Sequence, residues 1–311
     1  MEKKIRIGSR ESKLAVRQSE LIIEELEKYH PKLSFELVTM KTTGDIILHK
    51  TLDKIGGKGL FVKELDRALL NGDVDLTVHS LKDMPMQTPS ELPILAYSRR
   101  EDPRDALVLP EGELEWDRAR PVGCSSLRRK LQLEVRYPGV QVKWIRGNVQ
   151  TRLRKLDQGE YGSLVLAAAG LKRLGLEERI HRYFSPEEMI PAAGQGIMAV
   201  QGRREMAELT RCLYQETDVK IAEAERAFVR RLDGGCSSPV AAYARIDGEW
   251  LILTGLYYHP ESGQYLTGEK KVRFRGKSTA EAAELGIRLA DELQQKFVEK
   301  YTAQAGVRRN E

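Results

Sequence analysis

The 311 residues exceed what one hydrophobic core usually supports, so the sequence predicts two or three domains. With 41% hydrophobic and 31% charged residues, the composition is that of a globular protein and excludes a long disordered chain. The net charge of +5 is too small to indicate a nucleic-acid-binding protein by itself, so any anion site requires local clustering of cations.

The first residues lack the apolar stretch of an export signal, and nowhere do about twenty apolar residues run together. We therefore expect a cytoplasmic protein without a membrane span. The three cysteines, Cys124, Cys212 and Cys236, are widely spaced, which favours free thiols over a disulfide framework. The five histidines show no metal-ligand spacing, so no metal site is predicted.

The first half of the chain alternates short β-branched runs with helical patterns, which predicts an α/β fold with a largely parallel sheet. Strands are predicted at 4–8, 34–40 and 75–79, and helices at 12–29 and 60–70. The helix at 60–70 places Phe61, Leu65, Ala68 and Leu69 at helical spacing before Gly72, a residue suited to a left-handed cap. A second α/β unit repeats the pattern, with strands at 105–109, 121–123, 141–145 and 163–167 and helices at 126–136 and 149–157.

Beyond about residue 217 the pattern changes to a helix, three strands and a final helix. The strands are predicted at 240–246, 250–258 and 265–274. The final helix begins with a capping box at 278–281, and its predicted buried stripe consists of Ala282, Leu285, Leu289, Leu293 and Phe297. This part of the chain therefore predicts a small α+β domain.

Three loops at predicted strand ends carry cations beside helix N-termini, where backbone N–H groups favour anions. Their polar residues are Arg10 and Ser12 in the first loop, Ser125, Ser126, Arg128 and Arg129 in the second, and Arg146 and Arg152 in the third. Guanidinium groups bind carboxylates with a planar fork of donors. Solvated surface arginines explain any one loop, but not three loops that all fall at strand ends. We therefore predict one carboxylate-binding cleft between two domains.

Lys82 and Asp83 follow the strand predicted at 75–79, at the end where α/β enzymes place catalytic residues. A carboxylate in a cationic cleft could stabilise a substrate cation or transfer a proton. A capped turn with a surface ion pair explains this motif equally well. His79 is interpreted as a packed strand residue rather than a catalyst.

Cys236 lies in a glycine-rich turn, where its thiol would be accessible and nucleophilic, but from the residues alone a small buried side chain is slightly favoured. Cys124 is a rival nucleophile because it lies just ahead of a helix N-terminus that lowers thiol pKa values. Cys212 is interpreted as buried. The segment 42–60, rich in Gly and Lys, departs from the Walker A pattern and predicts a mobile lid.

Motifs along nearly the whole chain resemble the porphobilinogen deaminase family. They include RIGSRESKLA at 6–15, GGKGLFVKEL at 56–65, HSLKDMP at 79–85, REDPRDA at 100–106, RGNV at 146–149, PAAGQG at 191–196 and DGGC at 233–236. The resemblance implies an N-terminal domain of 1–99 and 194–215, a central domain of 100–193 and a C-terminal domain of 216–311. It implies two doubly wound α/β domains like those of bilobal anion-binding proteins, and a small α+β domain.

The resemblance also implies a transferase, hydroxymethylbilane synthase, which condenses four porphobilinogen molecules with loss of ammonia in tetrapyrrole biosynthesis. The implied cofactor is a dipyrromethane joined by a thioether to Cys236, which makes that thiol a nucleophile. Asp83 is then the catalytic acid that steadies the pyrrole nitrogens during each addition. The family further implies a monomer without nucleic-acid or membrane partners.

Roles in binding the cofactor and the substrate follow from the same resemblance. For the cofactor they fall on Ser80, Lys82, Asp83, Ser125, Ser126, Arg128, Arg129, Arg146 and Arg152, together with Cys236, and for the substrate on Arg10, Ser12, Gln18, Arg146, Arg152 and Arg173. Six pyrrole units with two carboxylates each bring about twelve negative charges into one cleft, where buried charges need partners. Cys124 stands where the family usually has Thr, so no hydroxyl role is assigned to it.

Two other classes of protein fit part of the pattern. A bilobal solute-binding protein would also have two α/β lobes with anion-binding turns, but it normally carries an export signal and needs no reactive Cys236. A nucleic-acid-binding protein could use Arg128, Arg129 and the basic segment 146–154, but aromatic residues do not interleave with these cations.

Overall fold

The computed structural model describes residues 4–46, 62–234, 238–274 and 278–307. Three subjects of the sequence analysis lie outside the described residues: Cys236, Phe61 and most of the segment 42–60. The predicted lid and the thiol of Cys236 therefore stay predictions.

Residues 4–97 form the first series of elements. They are β1 (Ile5–Arg10), α1 (Lys13–Tyr29), β2 (Phe35–Met40), α2 (Thr43–Ile46), α3 (Lys63–Asn71), β3 (Leu76–Ser80) and β4 (Ile94–Tyr97). The second series is β5 (Asp105–Val108), β6 (Val122–Gly123), α4 (Leu127–Arg136), β7 (Val142–Lys143), α5 (Val149–Asp157), β8 (Ser163–Ala167), α6 (Ala168–Arg173) and β9 (Arg182–Tyr183). The third is β10 (Met198–Gly202), α7 (Ala207–Thr210), α8 (Glu216–Arg231), β11 (Ala241–Asp247), β12 (Trp250–His259), β13 (Gln264–Arg273) and α9 (Ala280–Val307).

Two five-stranded sheets have the same arrangement of strand directions, although the chain enters them in a different order. The first has the order β2-β1-β3-β10-β4, with β1 parallel to β2 and β3, and β10 antiparallel to β3 and β4. The second has the order β7-β6-β8-β5-β9, with β6 parallel to β7 and β8, and β5 antiparallel to β8 and β9. A three-stranded antiparallel sheet, β11-β12-β13, packs against α8 and α9. The predicted class, two doubly wound α/β domains and a small α+β domain, is confirmed.

The sheets suggest where the domains divide. All strands of the second sheet lie between residues 105 and 183, and β10 then returns to the first sheet between β3 and β4. We propose that the domains are 1–99 with 194–215, 100–193, and 216–311. The chain therefore crosses between the α/β domains twice, near residues 99 and 194.

Side-chain caps fix the starts of the helices that carry the predicted anion loops. The hydroxyl of Ser12 accepts the Ala15 N–H at 3.3 Å, that of Ser126 accepts the Arg129 N–H at 3.5 Å, and the Asn148 amide oxygen accepts the Thr151 N–H at 2.9 Å. Each cap satisfies a backbone donor that the helix leaves without a partner. As predicted, α3 ends at Gly72, whose φ of +75° lies in the left-handed region. The predicted stripe of α9 is buried along its length.

The two crossing segments run side by side. The Ser98 N–H donates to the Met198 carbonyl at 2.8 Å, and the Glu101 N–H donates to the Gly196 carbonyl at 3.0 Å. Gly196 has a φ of +91°, and a Cβ atom there would lie 2.2 Å from the Glu101 carbonyl oxygen. Only glycine fits this crossing because any side chain would strike backbone.

A buried carboxylate of α8 joins the C-terminal domain to both crossing segments. Glu225 is fully buried and accepts hydrogen bonds from Arg100 Nη1, the Gly194 N–H and the Ala244 N–H, each at 2.7 Å. Burial raises the pKa of Glu225, and the charge of Arg100 opposes that rise. Parts of all three proposed domains therefore meet at the ion pair of Glu225 and Arg100.

Replacing Gly196 with Ala tests the tight crossing. Gly139 has the same φ of +91° but no atom within 4 Å of its added Cβ, so Gly139→Ala is the matched control. We expect Gly139→Ala to cost about 1–2 kcal/mol for the left-handed backbone, and Gly196→Ala to cost about 1–3 kcal/mol more for the clash. Urea-induced unfolding measures both changes, and equal losses would contradict the crossing geometry.

Candidate active site

The turn that carries Lys82 and Asp83 is anchored on both sides. It is a 3₁₀ turn, Leu81–Asp83, at the carboxyl end of β3, and Leu81 and Met84 are fully buried in a core shared with α8. Asp83 is exposed and Lys82 is half-buried. Beyond the turn, Arg226 of α8 donates to the carbonyl oxygens of residues 85 and 86 at 2.7 and 3.1 Å. The burial of its neighbours leaves Asp83 the side chain that reaches into solvent.

Other predicted residues of the N-terminal domain surround this strand end. The amide of Gln18 on α1 donates to the hydroxyl of Ser80 at 2.9 Å, and Arg10 ends β1, the neighbour of β3. His79 is buried, with its Nε2 2.9 Å from the Thr77 hydroxyl. Burial and the charge of Arg10 lower the pKa of His79 to about 4, so its ring is neutral. The interpretation of His79 as a packed strand residue is confirmed.

In the central domain, Arg128 and Arg129 share one buried carboxylate. Arg128 Nη1 donates to Asp105 Oδ2 at 2.7 Å, and Arg129 Nε donates to Oδ1 at 2.9 Å. The three residues are at most 6% exposed. Burial alone would raise the pKa of Asp105, but the charges of Arg128 and Arg129 outweigh it and hold the pKa far below its usual range. Asp105 therefore stays ionised and fixes both forks.

Arg146 and Arg152 extend this cationic surface. Arg152 Nε donates to the Gly147 carbonyl at 2.8 Å. Burial, reinforced by the charges of Arg129 and Arg146, lowers the pKa of Arg152 to about 10. Burial also lowers the pKa of Arg146. Because desolvation and like charges both disfavour cations, a carboxylate ligand would relieve this site.

Lys82 and Asp83 face these arginines. Burial lowers the pKa of Lys82 to about 8, the charge of Asp83 opposes the change, and Arg129 and Arg128 reinforce it. The carboxylate of Asp83 also lies within electrostatic range of Arg129 and Arg152. The amide of Gln195 joins the two sides: its Oε1 accepts Lys82 Nζ at 3.3 Å and its Nε2 donates to Asp105 Oδ1 at 2.9 Å.

The remaining predicted residues lie around this centre. Arg173 on α6 donates to the Gly196 carbonyl of the second crossing segment, and burial lowers its pKa to about 10. Ser125 and Ser126 lie directly before α4. Cys124 is 2% exposed with its Sγ 3.4 Å from the Ser126 nitrogen, which makes it a poor rival nucleophile. Cys212 is only partly buried, so its interpretation as a buried residue was too strong.

Two residues of this centre were missed in the sequence analysis. Asp105 begins the apolar run DALV of β5, and a carboxylate at the start of a fully buried strand signals a buried ion pair. Gln195 lies between two glycines in PAAGQG, and both glycines have positive φ. Neither pattern identifies the hydrogen-bond partner, because the partners of Asp105 and Gln195 lie 23 to 113 positions away in the sequence.

The charges of the described residues suit a ligand with several carboxylates. Five cations, Lys82, Arg128, Arg129, Arg146 and Arg152, accompany two carboxylates, Asp83 and Asp105. Arg128 Nε is buried and finds no hydrogen-bond acceptor among the described residues. No described group of His, Cys, Asp and Glu could hold a metal ion. The side chains therefore fit a dipyrromethane, whose carboxylates supply acceptors.

Two doubly wound α/β domains with a cluster of arginines and Lys82 close to Asp83 are the features of an enzyme for anionic substrates. Residues 5–211 match the family model "Porphobilinogen deaminase, dipyromethane cofactor binding domain", and residues 219–295 match "Porphobilinogen deaminase, C-terminal domain". The chain belongs to the porphobilinogen deaminase family. Its activity is that of a transferase in tetrapyrrole biosynthesis, and its cofactor is dipyrromethane, as the resemblance in the sequence implied.

Relatives match the chain along most of its length. The porphobilinogen deaminase of Acetivibrio thermocellus is 57% identical over 291 residues, which are 93% of this chain and 98% of that protein. That of Ruminiclostridium cellulolyticum is 55% identical over 293 residues, 94% of this chain and 98% of that protein. Among solved structures, the periplasmic aliphatic sulphonate binding protein SsuA from Escherichia coli is 13% identical, with a TM-score of 0.39, over 73% of this chain and 70% of that one.

Asp105→Asn should leave two buried guanidiniums without their counter-charge. We expect the free energy of unfolding at neutral pH to fall by about 3 kcal/mol. Because the folded-state pKa of Asp105 is depressed, its stabilisation is present above the unfolded-state pKa of about 3.9 and is lost as the pH falls below it. The difference from the wild type should therefore narrow below about pH 4. Urea unfolding across pH measures this, with exposed Asp247→Asn as control, and equal effects of the two changes would refute the account.

Proposed function

We propose that the cleft between the two α/β domains condenses four porphobilinogen molecules, one at a time, onto a dipyrromethane attached to Cys236. The observation that best supports this proposal is the set of buried and half-buried arginines of the central domain that face Asp83 of the N-terminal domain. Each pyrrole unit brings two carboxylates and one ring nitrogen that becomes positive during the reaction. The cleft offers cations for the former and a carboxylate for the latter.

Cationic side chains, hydroxyl groups and one amide bind the carboxylates of the cofactor and the substrate. Cofactor carboxylates are held by Lys82, Arg128, Arg129, Arg146 and Arg152, with Ser80, Ser125 and Ser126 supplying hydroxyl donors. Incoming substrate is held by Arg10, Ser12, Gln18 and Arg173, and it shares Arg146 and Arg152. Low exposure strengthens each ion pair because less water screens it.

Asp83 carries the proton chemistry of each addition. One carbon–carbon bond forms and one carbon–nitrogen bond breaks, and the amine leaves as ammonia. When bound, the cofactor supplies the pyrrole carbon at which the first substrate is joined. The carbon that is attacked loses one proton and the departing amine takes one, so a single carboxylate can pass the proton between them. Between these transfers, the charge of Asp83 stabilises the positive pyrrole nitrogen.

The attachment at Cys236 predicts a covalent mass increase. We expect the intact active protein to exceed its sequence mass by two pyrrole units, Cys212→Ala to keep the increase and Cys236→Ala to lose it. Intact-protein mass spectrometry measures all three. An unmodified mass in active protein, or an increase that survives in Cys236→Ala, would be incompatible with the proposal.

Asp83→Ala tests the proton transfer. We expect turnover to fall by about 10²–10⁴-fold, the usual contribution of a positioned acid or base, with the fold unchanged because Asp83 is exposed. Asp73→Ala, an exposed aspartate in the same domain, should keep full turnover. Ammonia release measures the rate and circular dichroism checks the fold. Normal turnover in Asp83→Ala would exclude the role.

We also propose that the enzyme acts as a monomer in the cytoplasm. Gln195 bonds to both Lys82 and Asp105, so contacts within one chain bring the two sides of the proposed site together, which supports a site formed by a single copy. None of the helices within the described residues combines the length and apolar content that a bilayer crossing requires. Sedimentation of the holoenzyme at micromolar concentration tests the oligomeric state.

A further inference from the structure

Gln195 lies on the second crossing segment and its side chain touches both sides of the proposed site. It is 1% exposed. Its Oε1 accepts a hydrogen bond from Lys82 Nζ at 3.3 Å, and its Nε2 donates to Asp105 Oδ1 at 2.9 Å and to the Pro103 carbonyl at 2.7 Å. One amide therefore bridges the Leu81–Asp83 turn, called here the catalytic turn, and the carboxylate of Asp105, which holds Arg128 and Arg129.

The partners allow only one orientation of this amide. Pro103 O and Asp105 Oδ1 can only accept hydrogen bonds, and the Lys82 ammonium can only donate. Exchanging the amide oxygen and nitrogen would place two acceptors together on one side and two donors on the other. The amide is therefore oriented with its oxygen toward Lys82 and its nitrogen toward Asp105.

The backbone fixes where this side chain begins. The Gln195 N–H donates to the Ala192 carbonyl at 2.9 Å, and Arg100 Nε donates to the Gln195 carbonyl at 3.0 Å. Gly194 has a φ of +74°, and a Cβ atom there would lie 2.6 Å from Leu81, the residue before Lys82. The crossing segment and the catalytic turn are thus in direct contact, and a shift in one must move the other.

We propose that Gln195 is a positioning residue that sets the distance between the Lys82–Asp83 turn and the arginines held by Asp105. This inference rests on the site residues of the proposed function. Gln195 acts through its neighbours, because its buried amide has no remaining N–H to offer a ligand.

A second consequence concerns the charge of Lys82. The groups that act on it are Asp83 on its own turn, Arg128 and Arg129 on α4, and Asp105 on β5. Burial lowers the pKa of Lys82 to about 8, and the amide oxygen of Gln195 bonds to the charged form. Because loss of that acceptor disfavours the charged form, it should lower the pKa further and move the alkaline limit of activity to lower pH.

Gln195→Met tests the bridge, because methionine matches glutamine in length but makes neither hydrogen bond. The matched control is Gln201→Met: Gln201 is also 1% exposed and donates to the Leu92 carbonyl at 3.0 Å, outside the site. In the holoenzyme we expect Gln195→Met to lower kcat about tenfold to a hundredfold, the range for one hydrogen bond to a charged group. KM should change less than about threefold. The alkaline limb of the kcat–pH profile should move to lower pH by roughly one unit. Gln201→Met should match the wild type in kcat, KM and pH profile.

Unchanged kcat and an unchanged alkaline limb in Gln195→Met would overturn the inference, as would a lower kcat without movement of the limb. Gln195→Asn, whose amide is one methylene too short to span both partners, should give the same result and replaces Gln195→Met if that variant does not fold. Lys82→Met separates the two proposals. Full activity in Lys82→Met would refute the assigned site, whereas an inactive Lys82→Met beside a normal Gln195→Met would refute only the role of Gln195.

Discussion

The arrangement of the site depends on one buried carboxylate, that of Asp105. Guanidinium groups brought together inside a protein repel one another and lose water, at a cost of several kcal/mol per buried ion. Asp105 compensates this cost for Arg128 and Arg129 and fixes the direction of both forks. Arg146 and Arg152 lie outside its direct reach, and their lowered pKa values record desolvation. Under the proposed function, carboxylates of the ligand would add further negative charge beside these two arginines.

Helix α8 contacts both the crossing segments and the chain that follows Asp83. Its Glu225 holds both crossing segments and its Arg226 holds the chain after Asp83, and both side chains are at most 4% exposed. The helix ends at Arg231, five residues before Cys236 in the sequence. The same helix therefore contacts the chain that follows Asp83 and precedes, in the sequence, the proposed attachment residue Cys236.

Local chemistry made much of the fold predictable. Ser12, Ser126 and Asn148 cap helices at the predicted positions, and α5 and β8 have the predicted bounds, because caps and periodicity act between near neighbours. The resemblance implied that the chain after residue 194 returns to the first domain, which the pairing of β10 with β3 confirms, but the strand itself was not predicted because all five of its residues are buried, which removes the alternation that marks a strand. Asp105 and Gln195 were missed because their hydrogen-bond partners are also distant in the sequence. A polar residue within an apolar or glycine-rich run suggests burial, but only the tertiary fold shows which groups it bonds to.

The number of cations constrains how the product grows. Seven cationic side chains among the described residues are assigned to the cofactor and substrate, namely Arg10, Lys82, Arg128, Arg129, Arg146, Arg152 and Arg173, and two of them already share Asp105. A chain of six pyrrole units carries about twelve carboxylates, and unpaired charges are costly away from water. Under the proposed function, successive units share these arginines as the chain grows. The crossing segments, which pair through the N–H groups of Ser98 and Glu101, are the described connections between the two α/β domains, so any relative movement of the two sides must bend the chain there.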